Sequence, residues 1–208
     1  PDRKPMMKLY FSAASCSLAS NIALHEAGIS YDLTKVDLKT HTTEDGADFY
    51  AIHDKGYVPY IVMDSGQGLS EGVAILQYIA DQKPESELAP KAGTLERYRL
   101  QEWLTYINSE LHKVIGSMFD PTMNADTREK TIEKSGKRLD WLSKKLDGKK
   151  YLMGDTFTVA DGYLFTVLNW CQWVGIDLSK WPVLQDFMGR VGARPKVQEA
   201  LKAVGLAT

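Results

Sequence analysis

Tyr57-Val58-Pro59-Tyr60-Ile61-Val62, then Asp64-Ser65-Gly66, then Ser70-Glu71-Gly72-Val73-Ala74-Ile75, is the stretch on which the fold turns. Its first six residues are rich in aromatic and β-branched side chains, the composition of a strand. Asp64-Ser65-Gly66 has turn chemistry and predicts a hairpin, with a return strand over 67–69. From 70 to 81, Val73, Leu76, Ile79 and Ala80 recur at helical spacing, with Ser70 as the expected N-cap. A proline opening an internal strand removes a ladder donor, so Pro59 points to special use of the backbone before it.

Upstream, Lys8-Leu9-Tyr10-Phe11 reads as a short buried strand and 12–15 as a small polar loop. Residues 16–27 carry Leu18, Ile22, Ala23 and Ala27 at helical spacing, and Gly28 stops that helix. Residues 31–37 alternate like a strand, and 43–52 are expected to form a short helix. The order β-α-β-α-β-β-α predicts a mixed four-stranded sheet covered by helices, an α/β unit of thioredoxin-like order over 7–87. Downstream, 83–93 holds Pro84, Pro90 and Gly93 among charges and reads as a linker. Beyond it the pattern is helical, over 95–119, 126–146 and 158–174, with shorter helices after Pro182 and Pro195. The chain is therefore expected to join an α/β domain to an all-α helical bundle over 94–208, with residues 1–6 outside the fold.

Composition narrows the function. The 208 residues are 44% hydrophobic and 25% charged, as in globular proteins generally, and the formal net charge is −2. Such a balance supplies no basic field for nucleic acid, and no apolar run approaches the ~20 residues of a membrane span. Cys16 and Cys171 are the only cysteines, which excludes a disulfide scaffold. No histidine has metal-ligand spacing with Cys, Asp or Glu, so no metal is expected. The predicted setting is cytoplasmic and the predicted substrate small.

Four positions carry chemistry. Cys16 begins the first helix, where backbone N–H groups favour a thiolate; no resolving cysteine follows it. Val58, before Pro59, is placed to pair its backbone with an extended cysteinyl peptide. Glu71 and Gly72 open the third helix, where an acid in the first turn suits the helix dipole by itself; the alternative is that free N–H groups there take a carboxylate and Glu71 an ammonium, the two ends of an α-amino acid. His112 shares a stripe of small and polar residues with Thr105, Ser109 and Gly116, spaced i, i+4, i+7 and i+11, which either lines a cleft or is a solvated helix face. Thr158 and Asp161 have capping-box spacing and are assigned to folding, and Cys171 to the core.

Taken in order, Ser15-Cys16-Ser17-Leu18, Lys55-Gly56-Tyr57-Val58-Pro59, Glu71-Gly72-Val73-Ala74-Ile75, Ser109-Glu110-Leu111-His112-Lys113 and Phe157-Thr158-Val159-Ala160-Asp161 resemble the cytosolic glutathione transferases, specifically the bacterial beta class. The resemblance runs from Met7 over nearly the whole chain. It implies a homodimer that conjugates glutathione, as co-substrate, to a small hydrophobic electrophile. It also implies glutathione binding by Cys16, the Val58 backbone, Glu71 and Gly72, with His41 toward the glycine carboxylate. Ser109 and His112 are then expected near the sulfur, with Thr105 reaching in from the partner subunit. Three departures stand out: His41 where lysine is common, Thr105 where asparagine is common, and His53-Asp54 in place of Asn-Pro. Two other readings share the scaffold: a glutathione-dependent thiol-disulfide oxidoreductase or peroxidase using Cys16, and a non-catalytic transferase-like binding protein.

Overall fold

In the computed structural model, residues 7–206 are described; the expected extension at 1–6 lies outside them. The first unit begins with β1 (Met7–Phe11), α1 (Ser17–Ala27), β2 (Asp32–Asp37), β3 (Thr42–Thr43) and the single turn α2 (Phe49–Ile52). It continues with β4 (Tyr60–Met63), β5 (Gly68–Ser70) and α3 (Gly72–Gln82). The sheet order is β3-β2-β1-β4-β5, with β1 and β2 parallel and the other neighbours antiparallel. Leu9 faces Ile61 across the central pair, and both are fully buried. The sheet is thus mixed and thioredoxin-like in order. It has five strands rather than four because Thr43 and Thr42 pair with Val36 and Asp37.

That pairing also corrects the helix expected over 43–52. Gly46, at φ +87°, and the Thr43 hydroxyl, which accepts from the Ala47 N–H at 2.9 Å, turn the chain there. Helix begins only at Phe49, where the Asp48 side chain accepts from the Tyr50 N–H. Ser70 is no N-cap: its pairing with Tyr60 keeps it extended, and α3 starts two residues later, after Glu71 at φ +71°.

The second unit holds α4 (Leu95–Tyr106), a π-helical segment (Ile107–His112), α5 (Lys113–Gly116) and a 3-10 turn (Ser117–Phe119). These replace the uninterrupted helix expected over 95–119. Then come α6 (Ala125–Leu146), α7 (Val159–Asn169), α8 (Cys171–Val174) and α9 (Pro182–Gly192). The core of this unit gathers Leu100, Leu104, Ile107, Leu111, Leu139, Leu164, Val167, Leu184 and Phe187, each fully buried. Asp161 is buried with them. Its carboxylate accepts from the Thr158 N–H at 2.9 Å and from the Leu152 N–H at 2.8 Å, closing the predicted capping box. The assignment of Asp161 to folding fits that geometry.

The last helix, α10 (Pro195–Ala203), belongs with the first unit rather than with the bundle. It packs on α1 through Val197, Ala200 and Leu201. The buried Asn21 amide donates to the Ala200 carbonyl at 2.9 Å, and His25 lies 3.5 Å from Glu199. The expected grouping over 94–208 therefore differs from the compact units, which divide after Leu88 and again after Arg194. A nine-residue amphipathic helix shows that it has a buried face, not which neighbour covers it.

Candidate functional site

In the first unit, the loop between β1 and α1 is tied by its serines. The Ser15 and Ser17 hydroxyls both donate to the Ser12 carbonyl, at 2.8 and 3.0 Å, and the Ser12 N–H donates to Ser17 Oγ at 3.1 Å. Cys16 is the N-cap of α1 and its own side chain does not cap the helix; the Ser17 N–H donates instead to Ser15 Oγ at 3.1 Å and the Leu18 N–H to the Ser15 carbonyl at 3.2 Å. The half-buried Cys16 thiol donates to the Val58 carbonyl at 3.5 Å. The Val58–Pro59 peptide is cis. Pro59 also meets α3: the Cβ position of Gly72 is 3.8 Å from Pro59 Cγ. Cys16, Val58 and Gly72 therefore converge around one proline.

Glu71 stands beside them and is exposed. Lys55 Nζ lies 2.6 Å from Glu71 Oε1, and this hydrogen bond pushes the Lys55 pKa up. In the sequence Lys55 is part of the Lys55–Pro59 motif and carries no signal of this pairing. One turn of chain away, the His41 ring sits on Tyr50 at 4.3 Å, and His41 Nδ1 is 3.2 Å from the Gly56 carbonyl. A Cβ at Gly56 would come within 2.6 Å of Tyr50 and 2.8 Å of His41, and its φ is +65°. Only glycine fits there. Nearby, His53 stacks on Tyr60 at 4.3 Å with its Nε2 buried and unpartnered, and burial lowers its pKa.

His112 belongs to the second unit. The π-helical turn closes on it, a widening that recurs at functional positions in helices. His112 Nδ1 lies 2.5 Å from the Tyr163 hydroxyl, and the Tyr163 hydroxyl donates to Asn108 Oδ1 at 3.1 Å. The Trp170 ring stands nearly perpendicular to the imidazole at 5.0 Å. Burial lowers the His112 pKa to about 4, with the neighbouring Lys113 charge acting the same way, so the ring is neutral near pH 7. Thr105 and Ser109 lie exposed, with the Ser109 hydroxyl donating to the Thr105 carbonyl at 2.9 Å. The predicted stripe is thus interrupted: the π turn shifts residues after 107 out of α-helical register, and His112 is turned to Tyr163. Tyr163 and Asn108 were missed by sequence. The available signal was a tyrosine in a largely buried helix, whose hydroxyl needs a partner.

Cys171 is fully buried, and burial pushes its thiol up to about 12, which leaves Cys16 as the accessible cysteine. Among the described residues, no group of three or more His, Cys, Asp or Glu side chains is arranged to hold a metal ion. No described helix is long and apolar enough to cross a membrane.

Residues 6–81 match the family model for the glutathione S-transferase N-terminal domain, and 101–195 match that for the glutathione S-transferase C-terminal domain. Over 200 residues the chain is 40% identical to glutathione S-transferase GstA of Escherichia coli O157:H7, across 96% of this chain and 100% of that protein. A sphingomonad glutathione S-transferase complexed with glutathione has a TM-score of 0.92 to this structure at 44% identity, across 96% of this chain and 100% of that one. A bacterial beta class glutathione S-transferase from Sphingomonas chungbukensis gives a TM-score of 0.93 at 46% identity, with the same coverage.

Proposed function

Because the chain belongs to the glutathione S-transferase family, we infer that it is an enzyme that conjugates glutathione to electrophiles. The relatives favour transfer over the oxidoreductase and binding-protein readings. In the reaction the glutathione thiol loses its proton, the sulfur attacks an electrophilic carbon, and a C–S bond forms as the leaving group departs with its electron pair.

The proposed division of labour starts from one observation: Cys16 Sγ and the Val58 carbonyl meet at 3.5 Å where α1 begins. Glutathione lies extended along Val58, its γ-glutamyl carboxylate at the N-terminus of α3 by Gly72 and its ammonium at Glu71. Its sulfur sits at the N-terminus of α1, where the N–H groups favour the anion. His41 serves the glycine end, and Ser109 and His112 serve the sulfur. His112, neutral near pH 7, offers a ring nitrogen to the thiol proton. We assign the chain to the beta class, which carries the homodimer, Thr105 as a contribution from the partner subunit, and the cytoplasmic setting as further parts of this proposal.

Calorimetric titration with reduced glutathione tests the reading without a second substrate. Saturable binding at one site per chain, lost in Glu71→Ala, is the expected result. Absence of binding at millimolar glutathione overturns it.

A further inference from the structure

We propose that Tyr163 and Asn108 are positioning residues that fix the imidazole tautomer of His112, placing its proton on Nδ1 and leaving Nε2 as a bare acceptor. The inference deepens the proposed function and rests on the role given there to His112.

The argument follows one proton at a time. Asn108 Oδ1 is a carbonyl oxygen and can only accept, so the contact at 3.1 Å takes the single hydroxyl proton of Tyr163. The Tyr163 oxygen therefore faces His112 with a lone pair. A contact of 2.5 Å between that oxygen and His112 Nδ1 needs a proton between them, and the imidazole supplies it. A neutral imidazole has one N–H, so Nε2 is left with its lone pair. Among the described residues, the hydrogen bond of the His112 ring is made through Nδ1, to Tyr163. Burial, which holds the ring neutral, keeps the second proton off.

The fold supports the arrangement. Tyr163 is 4% exposed on α7, and α7 packs against the π-helical segment that carries both Asn108 and His112. Trp170 against the imidazole limits its rotation. A neutral base oriented by an acceptor chain behind it is the logic by which a second group sets the tautomer of a catalytic histidine. The opposite arrangement has the Asn108 amide turned over, Tyr163 donating to Nδ1 and the imidazole proton on Nε2. It would make His112 a donor, unable to take a thiol proton at that atom.

Imidazole nitrogen NMR on the intact protein separates the two. The expected spectrum shows Nδ1 protonated and Nε2 unprotonated in the wild-type protein near pH 7. Tyr163→Phe removes the acceptor, and the proton is expected to move to Nε2. Asn108→Ala frees the Tyr163 hydroxyl to donate forward and is expected to move it likewise. Asn108→Asp presents only acceptor oxygens and is expected to keep the wild-type pattern, which a purely structural role would not predict. With glutathione and an aryl halide, kcat of Tyr163→Phe is expected to fall about 10- to 100-fold, with KM for glutathione unchanged. An Nε2–H tautomer in the wild-type protein overturns the proposal. Full turnover in His112→Ala overturns the role of His112 while leaving the tautomer result standing, so the two failures are distinguishable.

Discussion

Lys55 and Glu71 meet at 2.6 Å although 16 residues separate them, so the loop entering Pro59 is fastened to the residue that opens α3. Both side chains are largely exposed, and pairs of that kind add little to stability. The pair instead presents a carboxylate at a helix N-terminus where a ligand ammonium is expected. Glu71→Gln should weaken glutathione binding about 10-fold or more in calorimetry, the loss of one charge-assisted contact. The thermal midpoint should stay unchanged. An equal loss of both would assign the pair to folding.

Gly56 separates two effects that other glycines confound. At Gly66 the backbone is also left-handed, at φ +82°, but nothing lies within 4 Å of a Cβ. Gly66→Ala should cost about 1–2 kcal/mol in urea unfolding, the backbone penalty alone. Gly56→Ala should cost more, because its Cβ meets Tyr50 at 2.6 Å and His41 at 2.8 Å. It should also displace the His41 ring, read as a change in the histidine proton resonances. Equal costs would mean that the His41–Tyr50 stack yields freely.

The two cysteines should react as differently as their surroundings. Iodoacetamide should label one thiol per native chain, at Cys16, and two after unfolding, since Cys171 is fully buried with its thiol pushed up to about 12. Cys16→Ala should lower glutathione–disulfide exchange far more than conjugation, because glutathione brings its own attacking sulfur. Equal losses in the two assays would make Cys16 part of the conjugation step.

His112 gives a pH signature with a definite sign. Its folded pKa, about 4, lies below the value of about 6.5 for a free histidine. The folded state therefore binds fewer protons than the unfolded state between these values. Stability contributed by the neutral ring is present above pH 6.5 and lost as pH falls toward 4. His112→Gln should flatten that part of the stability profile, followed by urea unfolding at several pH values. An NMR titration should show His112 unprotonated at pH 5.5; a midpoint near 6.5 would contradict the buried ring.

Most of the first unit could be read from residues. The strand at 8–11, the stop at Gly28 and the hairpin at Asp64-Ser65-Gly66 all follow from local chemistry. What escaped was non-local. Thr42–Thr43 is a strand only because Val36 and Asp37 lie beside it, and two residues have no period to read. The π-helical turn at Ile107–His112 adds no special residue type; it is a change of hydrogen-bond register that the packing against α7 accompanies. Tyr163 looked like core because it is core, and its hydroxyl found Asn108 and His112 only through that register. The motif residues around Cys16, Glu71 and His112 were legible; the groups that hold them, Lys55, Asn108 and Tyr163, were not.

The docking of α10 on α1 has a consequence for how the chain is made. Helix α1 emerges from the ribosome before the bundle does, yet Asn21 and His25 find Ala200 and Glu199 only after the bundle has been made. The first unit therefore waits for its final wall while the whole bundle is translated. A nascent chain stalled after Arg194 would carry a bundle with all its helices and a sheet unit with one flank still bare. Birth order and folding order are not the same in this protein: the unit begun before the bundle is completed only after it.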